Sequence, residues 1–182
     1  MKKIILILLS ILLLASCAST KGRNYMAEVV DTETDNGDWE VKHFADNFGN
    51  PTSKVYISTP FKLGVFKNSA TNGSGLGGSL LVTDNSVEIK LLEYGTHPVS
   101  VISRNAFISV QVKAGDMTET IKYNSFASNR VIVKNTEPIY KALTENDEVQ
   151  IYVYISDYTT SSYIFTVSGR GFVHAYKNAF IE

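Results

Sequence analysis

Val149-Gln150-Ile151-Tyr152-Val153-Tyr154-Ile155 is the stretch on which the fold turns. Successive side chains of an extended chain point to opposite faces, so Val149, Ile151, Val153 and Ile155 share one side while Gln150, Tyr152 and Tyr154 share the other. β-Branched and aromatic residues on that period suit a pleated, half-buried surface. Phe107-Ile108-Ser109-Val110-Gln111-Val112-Lys113 repeats the pattern with Ile108, Val110 and Val112 inward. Ser86-Val87-Glu88-Ile89-Lys90-Leu91 does so with valine, isoleucine and leucine opposite the charges.

Around these stretches, the same signals predict strands over 55–58, 61–66, 80–83, 99–102, 118–123, 130–134 and 163–167, with the first strand opening near Trp39. Asn50-Pro51, Asp84-Asn85, Ala114-Gly115-Asp116 and Asn146-Asp147 supply the bends between them. A short helix is expected after Thr136, with that threonine as its cap, Pro138 in the first turn and Ile139, Tyr140 and Leu143 facing inward. The tail from Phe172 to Phe180 fits either a strand or a second short helix. The expected class is all-β, mainly an antiparallel β-sandwich or a barrel-like variant of it, with one or two short helices.

A chain of 182 residues, 44% hydrophobic and 19% charged, has ordinary globular composition and fits one domain of roughly 100–200 residues. Lys2, Lys3 and the apolar run Ile4 to Leu14, broken only by Ser10, have the charge and length of an export signal and fall short of the ~20 residues that a spanning helix needs. Leu14-Ala15-Ser16-Cys17 resembles the lipobox of bacterial lipoproteins. That resemblance implies removal of residues 1–16, a diacylglyceryl group on the thiol of Cys17 and attachment to a membrane; two or three acyl chains hold stably where one does not. Ala18 in place of an aspartate implies the outer membrane in a two-membrane host. Cys17 is the one cysteine, so no intramolecular disulfide can form.

Without residues 1–16 the 17 bases become 15 against 18 acids, a net charge of −3, which disfavours nucleic acid as a partner. Residues 17–38 are polar, with Glu28, Asp31, Glu33, Asp35 and Asp38, and read as the lipidated cysteine and a flexible tether. Residues 39–182 are expected to form the single β domain. The carboxylates of the tether do not make a calcium loop: glycine falls at position seven instead of six, and Lys42 stands where a bidentate glutamate belongs.

Gly73, Gly75 and Gly78 match the letters of a dinucleotide-binding fingerprint, but Ser79-Leu-Leu-Val-Thr-Asp-Asn85 after them reads as strand and turn where that motif needs a helix. The segment is expected to be a flexible glycine loop joining two strands. It lacks the Gly-Lys-Ser/Thr ending of a phosphate loop, and neither Ser74 nor Ser79 sits in a Gly-x-Ser-x-Gly elbow. His43, His97 and His174 are too far apart in sequence for a local metal site, and Asp46 and Glu93 could act as a carboxylate pair only if the fold joined them. No catalytic, metal-binding or cofactor-binding residue is therefore assigned, and no cofactor is expected.

The aromatic distribution is the strongest functional signal. Tyr152 and Tyr154 stand opposite the apolar row, with Tyr158, Tyr163 and Phe165 after them in sequence. An exposed tyrosine face over Tyr152, Tyr154, Tyr158 and Tyr163 would suit a sugar, a peptide or a protein, because tyrosine gives large contact area at low entropic cost. The competing expectation is that these rings pair across strands or lie beneath a second sheet.

Trp39-x-Val41-x-x-Phe44 with Asp46-Asn-Phe-Gly-Asn-Pro-Thr52 after it resembles the opening of small uncharacterised bacterial secreted proteins and lipoproteins, with Asn50 where those carry aspartate. That resemblance brings no activity; physically it makes residues 48–51 a turn and has Trp39 and Phe48 pack the first strand on the core. The Trp opening together with the closing segment Phe165-Thr-Val-Ser-Gly169 is similar to periplasmic accessory proteins of type VI secretion, of the TagO kind. The sequence thus points to a lipid-anchored envelope protein that serves as a non-enzymatic binding or structural module, with an envelope protein or glycan as its expected partner. A secretion-system accessory, or an envelope hydrolase whose site is assembled only by the fold, stands as the alternative.

Overall fold

Alternating side chains bury one face of each strand and leave the backbone edges to pair, and the chain resolves this by building one continuous antiparallel sheet. The computed structural model describes residues 36–101, 106–122 and 124–181. The signal segment 1–16, Cys17 and the tether up to residue 35 lie outside the described residues. Among the described residues the strands are β1 (Glu40–Ala45), β2 (Pro51–Ser58), β3 (Lys62–Lys67), β4 (Asn72–Val82), β5 (Val87–Glu93), β6 (His97–Pro98), β7 (Phe107–Ala114), β8 (Met117–Ile121), β9 (Ser125–Ala127), β10 (Arg130–Val133), β11 (Glu148–Ser156) and β12 (Thr160–Ser168). Helix α1 (Glu137–Glu145) precedes β11 and α2 (Phe172–Phe180) comes after β12.

The strands run in the order β8-β7-β11-β12-β3-β4-β5-β10-β9, with β2 joining β4, β1 joining β2 and β6 joining β5. Every pairing is antiparallel, and the sheet curls into a half barrel. The fold is thus all-β with two short helices. Register settles which side faces inward: Val153 pairs with Val110 and Tyr163, and Tyr163 with Phe66, so these four occupy one row of the interior. Phe66, Leu76, Leu80, Ile89, Val110, Val112, Ile151 and Val153 are fully enclosed. Each such side chain is worth about 1.5–3 kcal/mol relative to exposure.

The helices lie against the ends of this sheet. Helix α1 meets β7, β8 and β11 and α2 meets β1 and β2, with Ile139, Ala142, Leu143, Phe172 and Ala175 buried. The tail is helical, and Phe172, Ala175, Tyr176 and Ala179 fall at the spacing that keeps one helical stripe on the core. Trp39 is buried against this stripe: its ring centroid is 5.1 Å from that of Phe172, and its Nε1–H donates to the carbonyl of Ser168 at 3.0 Å. Backbone meets backbone beside it. Gly37 and Gly171 have φ of +56° and +77°, and a Cβ on Gly171 would stand 2.0 Å from the carbonyl carbon of Asn36.

Several expectations change. Residues 73–78 belong to β4 and are no loop; a glycine within a strand suits a site where a neighbouring ring must come close. That ring is Phe165, whose Cγ, Cδ1 and Cδ2 would lie 2.5–2.7 Å from a Cβ on Gly78. No strand covers the described part of 99–102, because pairing ends at Pro98, which has no N–H, and Val99 adds a single bond to the carbonyl of Leu91. Thr136 makes no side-chain capping bond to α1. Phe48 does not pack on the core but is 92% exposed at the β1–β2 turn, where the Asp46 carboxylate accepts from the backbone N–H of Phe48 and Asn50.

Gly78→Ala is expected to destabilise the protein by about 1–3 kcal/mol through overpacking. Gly75→Ala, whose Cβ would meet no atom within 4 Å, is expected to stay within about 0.5 kcal/mol of wild type. Urea unfolding of the two variants checks the difference; equal midpoints would show that the Phe165 ring does not depend on a bare Gly78.

Candidate functional site

The residues that alternate with the core form the outer face of the sheet, and it is there that the tyrosines lie. Tyr152 and Tyr154 are half-buried on this face. Cross-strand register puts Tyr152 in a row running Thr120, Gln111, Tyr152, Ile164, Val65 and Gly75, and Tyr154 in the next row with Ser109, Ser162 and Lys67. On the other side of the Tyr152 row, Lys113 pairs with Thr118 and Gln150. Phe107, exposed at the end of β7, meets the Tyr154 ring edge-on at 6.3 Å.

Apolar surface continues across β3. Leu63 is 94% exposed and Val65 and Phe61 are also open to solvent. Beside them Gly73, Gly75 and Gly77 carry no side chain, and a Cβ on Gly73 or Gly75 would meet nothing within 4 Å, so β4 forms a trough one strand wide. Lys90 borders it with its ammonium 5.2 Å from the centre of the Phe61 ring. Helix α1 meets β7, β8 and β11 and α2 meets β1 and β2, while Tyr152 and Tyr154 keep part of their surface open to solvent.

Tyr158 and Tyr163 do not share this area. Tyr158 sits at the tip of the β11–β12 hairpin, 81% exposed, while Tyr163 is buried on the inner face with Phe165. Odd-numbered positions of β12 face the core because Tyr163 pairs with Val153, so placing Tyr163 with Tyr152 and Tyr154 is corrected by register alone. Its hydroxyl donates to Glu93 Oε1 at 3.0 Å, and its ring stacks on Phe66 with centroids 6.1 Å apart.

The remaining candidates are occupied locally. Asp46 holds the β1–β2 turn, and hydrogen bonds from the backbone and side chain of Asn50 keep its carboxyl below the usual range. Glu93 serves Tyr163, so the two carboxylates have separate partners. His43 Nδ1 contacts the Thr52 carbonyl, His97 contacts Thr96, and His174 lines a polar groove of about 460 Å³ with Asp147 and Arg170 between the helices. Among the described residues no three His, Cys, Asp or Glu side chains converge on one point. The hydrophobic trough of β4 and the exposed Leu63 are the parts of the site that reading the sequence missed; the outward spacing of Gly73, Gly75 and Gly77 against Leu76 and Leu80 is the signal that could have shown them.

Two inner phenols make the fold sensitive to alkali. Burial, helped by the neighbouring Tyr176, pushes Tyr140 up to about 12, and burial with the Glu93 carboxylate raises Tyr163 further. Both are raised above an unfolded value of about 10, so their contribution is complete below pH ~10 and is lost as pH rises toward 12. Thermal melts between pH 8 and 12 should show stability falling above pH ~10, with a shallower fall in Tyr140→Phe. An identical profile in that variant would remove Tyr140 from the account.

A search of protein-family models, of curated proteins and of solved structures found no match to the chain, so the face stands on its own geometry.

Proposed function

We propose that the chain is a lipid-tethered, non-enzymatic binding module of the bacterial envelope, which holds another envelope component on the outer face of its sheet. The observation that carries this reading is the outward face on which half-buried Tyr152 and Tyr154 lie, continued by exposed Leu63 and Val65 and the glycine trough. Aromatic anchors with few rotatable bonds, set on rigid paired strands and ringed by hydroxyl and amide side chains, are the make-up of a recognition surface. The anchor rests on residues 14–17 and the tether on residues 18–38 of the sequence. On that basis the protein works at the surface of a membrane, the outer one in a two-membrane host.

A second reading, a secretion-apparatus accessory, is favoured by one contact. The Trp39 indole donates to Ser168, which joins the two stretches, opening and closing, that carry the resemblance to type VI accessory proteins. Location of the gene beside a secretion cluster would support it, and its absence there would remove that reading.

The test is made in the native host with a photo-crosslinking amino acid at position 152, or at the exposed position 178 on α2 as a control. Crosslinks from 152 alone, in membrane-bound protein whose mass is that of a chain starting at a diacylglyceryl-modified Cys17, are the expected result. Equal labelling from both positions, or none from 152, would overturn the binding face. Soluble, unmodified protein that is unchanged by Cys17→Ser would overturn the anchor.

A further inference from the structure

The charges around Tyr152 and Tyr154 on the outer face are distributed unlike those of the whole chain. The chain carries 18 acids and 17 bases. In the three outward cross-strand rows of Gln150, Tyr152 and Tyr154, from β8 across to β4, there is no Asp or Glu among the described residues, and the charged side chains are Lys113 and Lys67. Both are exposed. The nearest outward acid along β11 is Glu148, one row further on. An acid-free strip with a lysine toward each end is complementary to negative charge.

The separation of the lysines says what kind of anion fits. Lys113 is on β7 and Lys67 on β3, three strands apart, and they differ by four residues along the strand direction. Strand spacings of about 4.8 Å and rises of about 3.3 Å put their Cα atoms about 20 Å apart. No single small anion reaches both, so the occupant is an extended chain. Between the two lysines lie the tyrosine rings and the groups of Ser109, Gln111 and Ser162, which both donate and accept hydrogen bonds. That mixture matches a chain dense in hydroxyls with apolar C–H faces between them. The sheet also curls, so this outer face is convex across the strands. A flat membrane would touch it only along a line, whereas a flexible polymer can wrap along it.

From this we infer that the outer face binds an acidic polysaccharide, with Tyr152 and Tyr154 stacking on sugar rings and Lys67 and Lys113 meeting its carboxylates or phosphates. The inference rests on the binding-face reading above and adds the chemistry of the partner.

Affinity electrophoresis of the full chain in gels containing polygalacturonate tests it, with dextran as the neutral sugar polymer and poly-glutamate as the sugar-free polyanion. Retardation by polygalacturonate but not by dextran or poly-glutamate is expected. It should weaken at least tenfold in Tyr152→Ala/Tyr154→Ala and in Lys67→Gln/Lys113→Gln. Gly75→Val should also abolish it by filling the trough. Because a Cβ there meets no atom within 4 Å, that variant is expected to keep the wild-type unfolding midpoint, which separates lost binding from lost folding. Equal retardation by poly-glutamate, or retardation indifferent to the tyrosines, would overturn the glycan and leave charge alone. Cosedimentation with vesicles of phosphatidylglycerol and phosphatidylcholine, or self-association lost in the same variants, without polygalacturonate binding, would overturn it in favour of a lipid surface or a second copy. If polygalacturonate fails while position 152 still crosslinks in cells, the glycan assignment falls and the binding face stands. If both fail, both fall.

Discussion

The contact on which the rest of the structure depends is the Phe165 ring lying against Gly78. A sheet of this width can bury a core of its own only by curling, and curling brings the inner faces of β12 and β4 toward each other across β3. With any side chain on Gly78 the ring would have no room, since the space for a Cβ is already within 2.5–2.7 Å of its carbons. The small residue permits the close approach and the large ring fills it, which is the alternation of small and large that interior rows of curled sheets require. One of the glycines that look like a loop signal in the sequence, Gly78, therefore serves close packing in the core.

What the sequence makes legible depends on how local each cause is. Period-two alternation in Val149–Ile155 and Phe107–Lys113 is a property of consecutive residues, and both stretches are strands with the expected faces inward. Helix α1 was readable from Pro138 and the spacing of Ile139 and Leu143. The nature of residues 172–180 was not, because aromatic residues suit a strand as well as a buried helical stripe, and what decides is contact with Trp39 and Tyr140 far away in sequence. Phe48 shows the converse. Its hydrophobicity suggested the core, but the hydrogen bonds of the Asp46 turn leave it pointing into solvent.

The site divides the same way. Tyr152 and Tyr154 could be placed opposite the core from their own strand alone. Tyr163 could not, since its face depends on which residue of β11 it meets, and one step of register reverses the answer. The trough and the lysine pair are less local still: Gly75, Val65 and Ile164 come from three strands, and Lys67 and Lys113 from strands with two others between them. Linear sequence shows none of these neighbours, while the hydrogen-bond ladder makes them adjacent.

The close approach of Gly37 and Gly171 governs how the domain answers to force. Any pull exerted on the chain ahead of Asn36 reaches first the backbone seated between these glycines, then the Trp39 indole held by Ser168 and Phe172, and the ion pair of Asp38 with Lys62. These contacts must slide past one another before β1, which among the described residues pairs only with β2 along the sheet, can be peeled away bond by bond. The buried tryptophan and its glycine seat thus act as a strain relief at the point of entry, so that tension on the leading segment is taken up by α2 and the end of β12 before it reaches β11, the strand that carries Tyr152 and Tyr154.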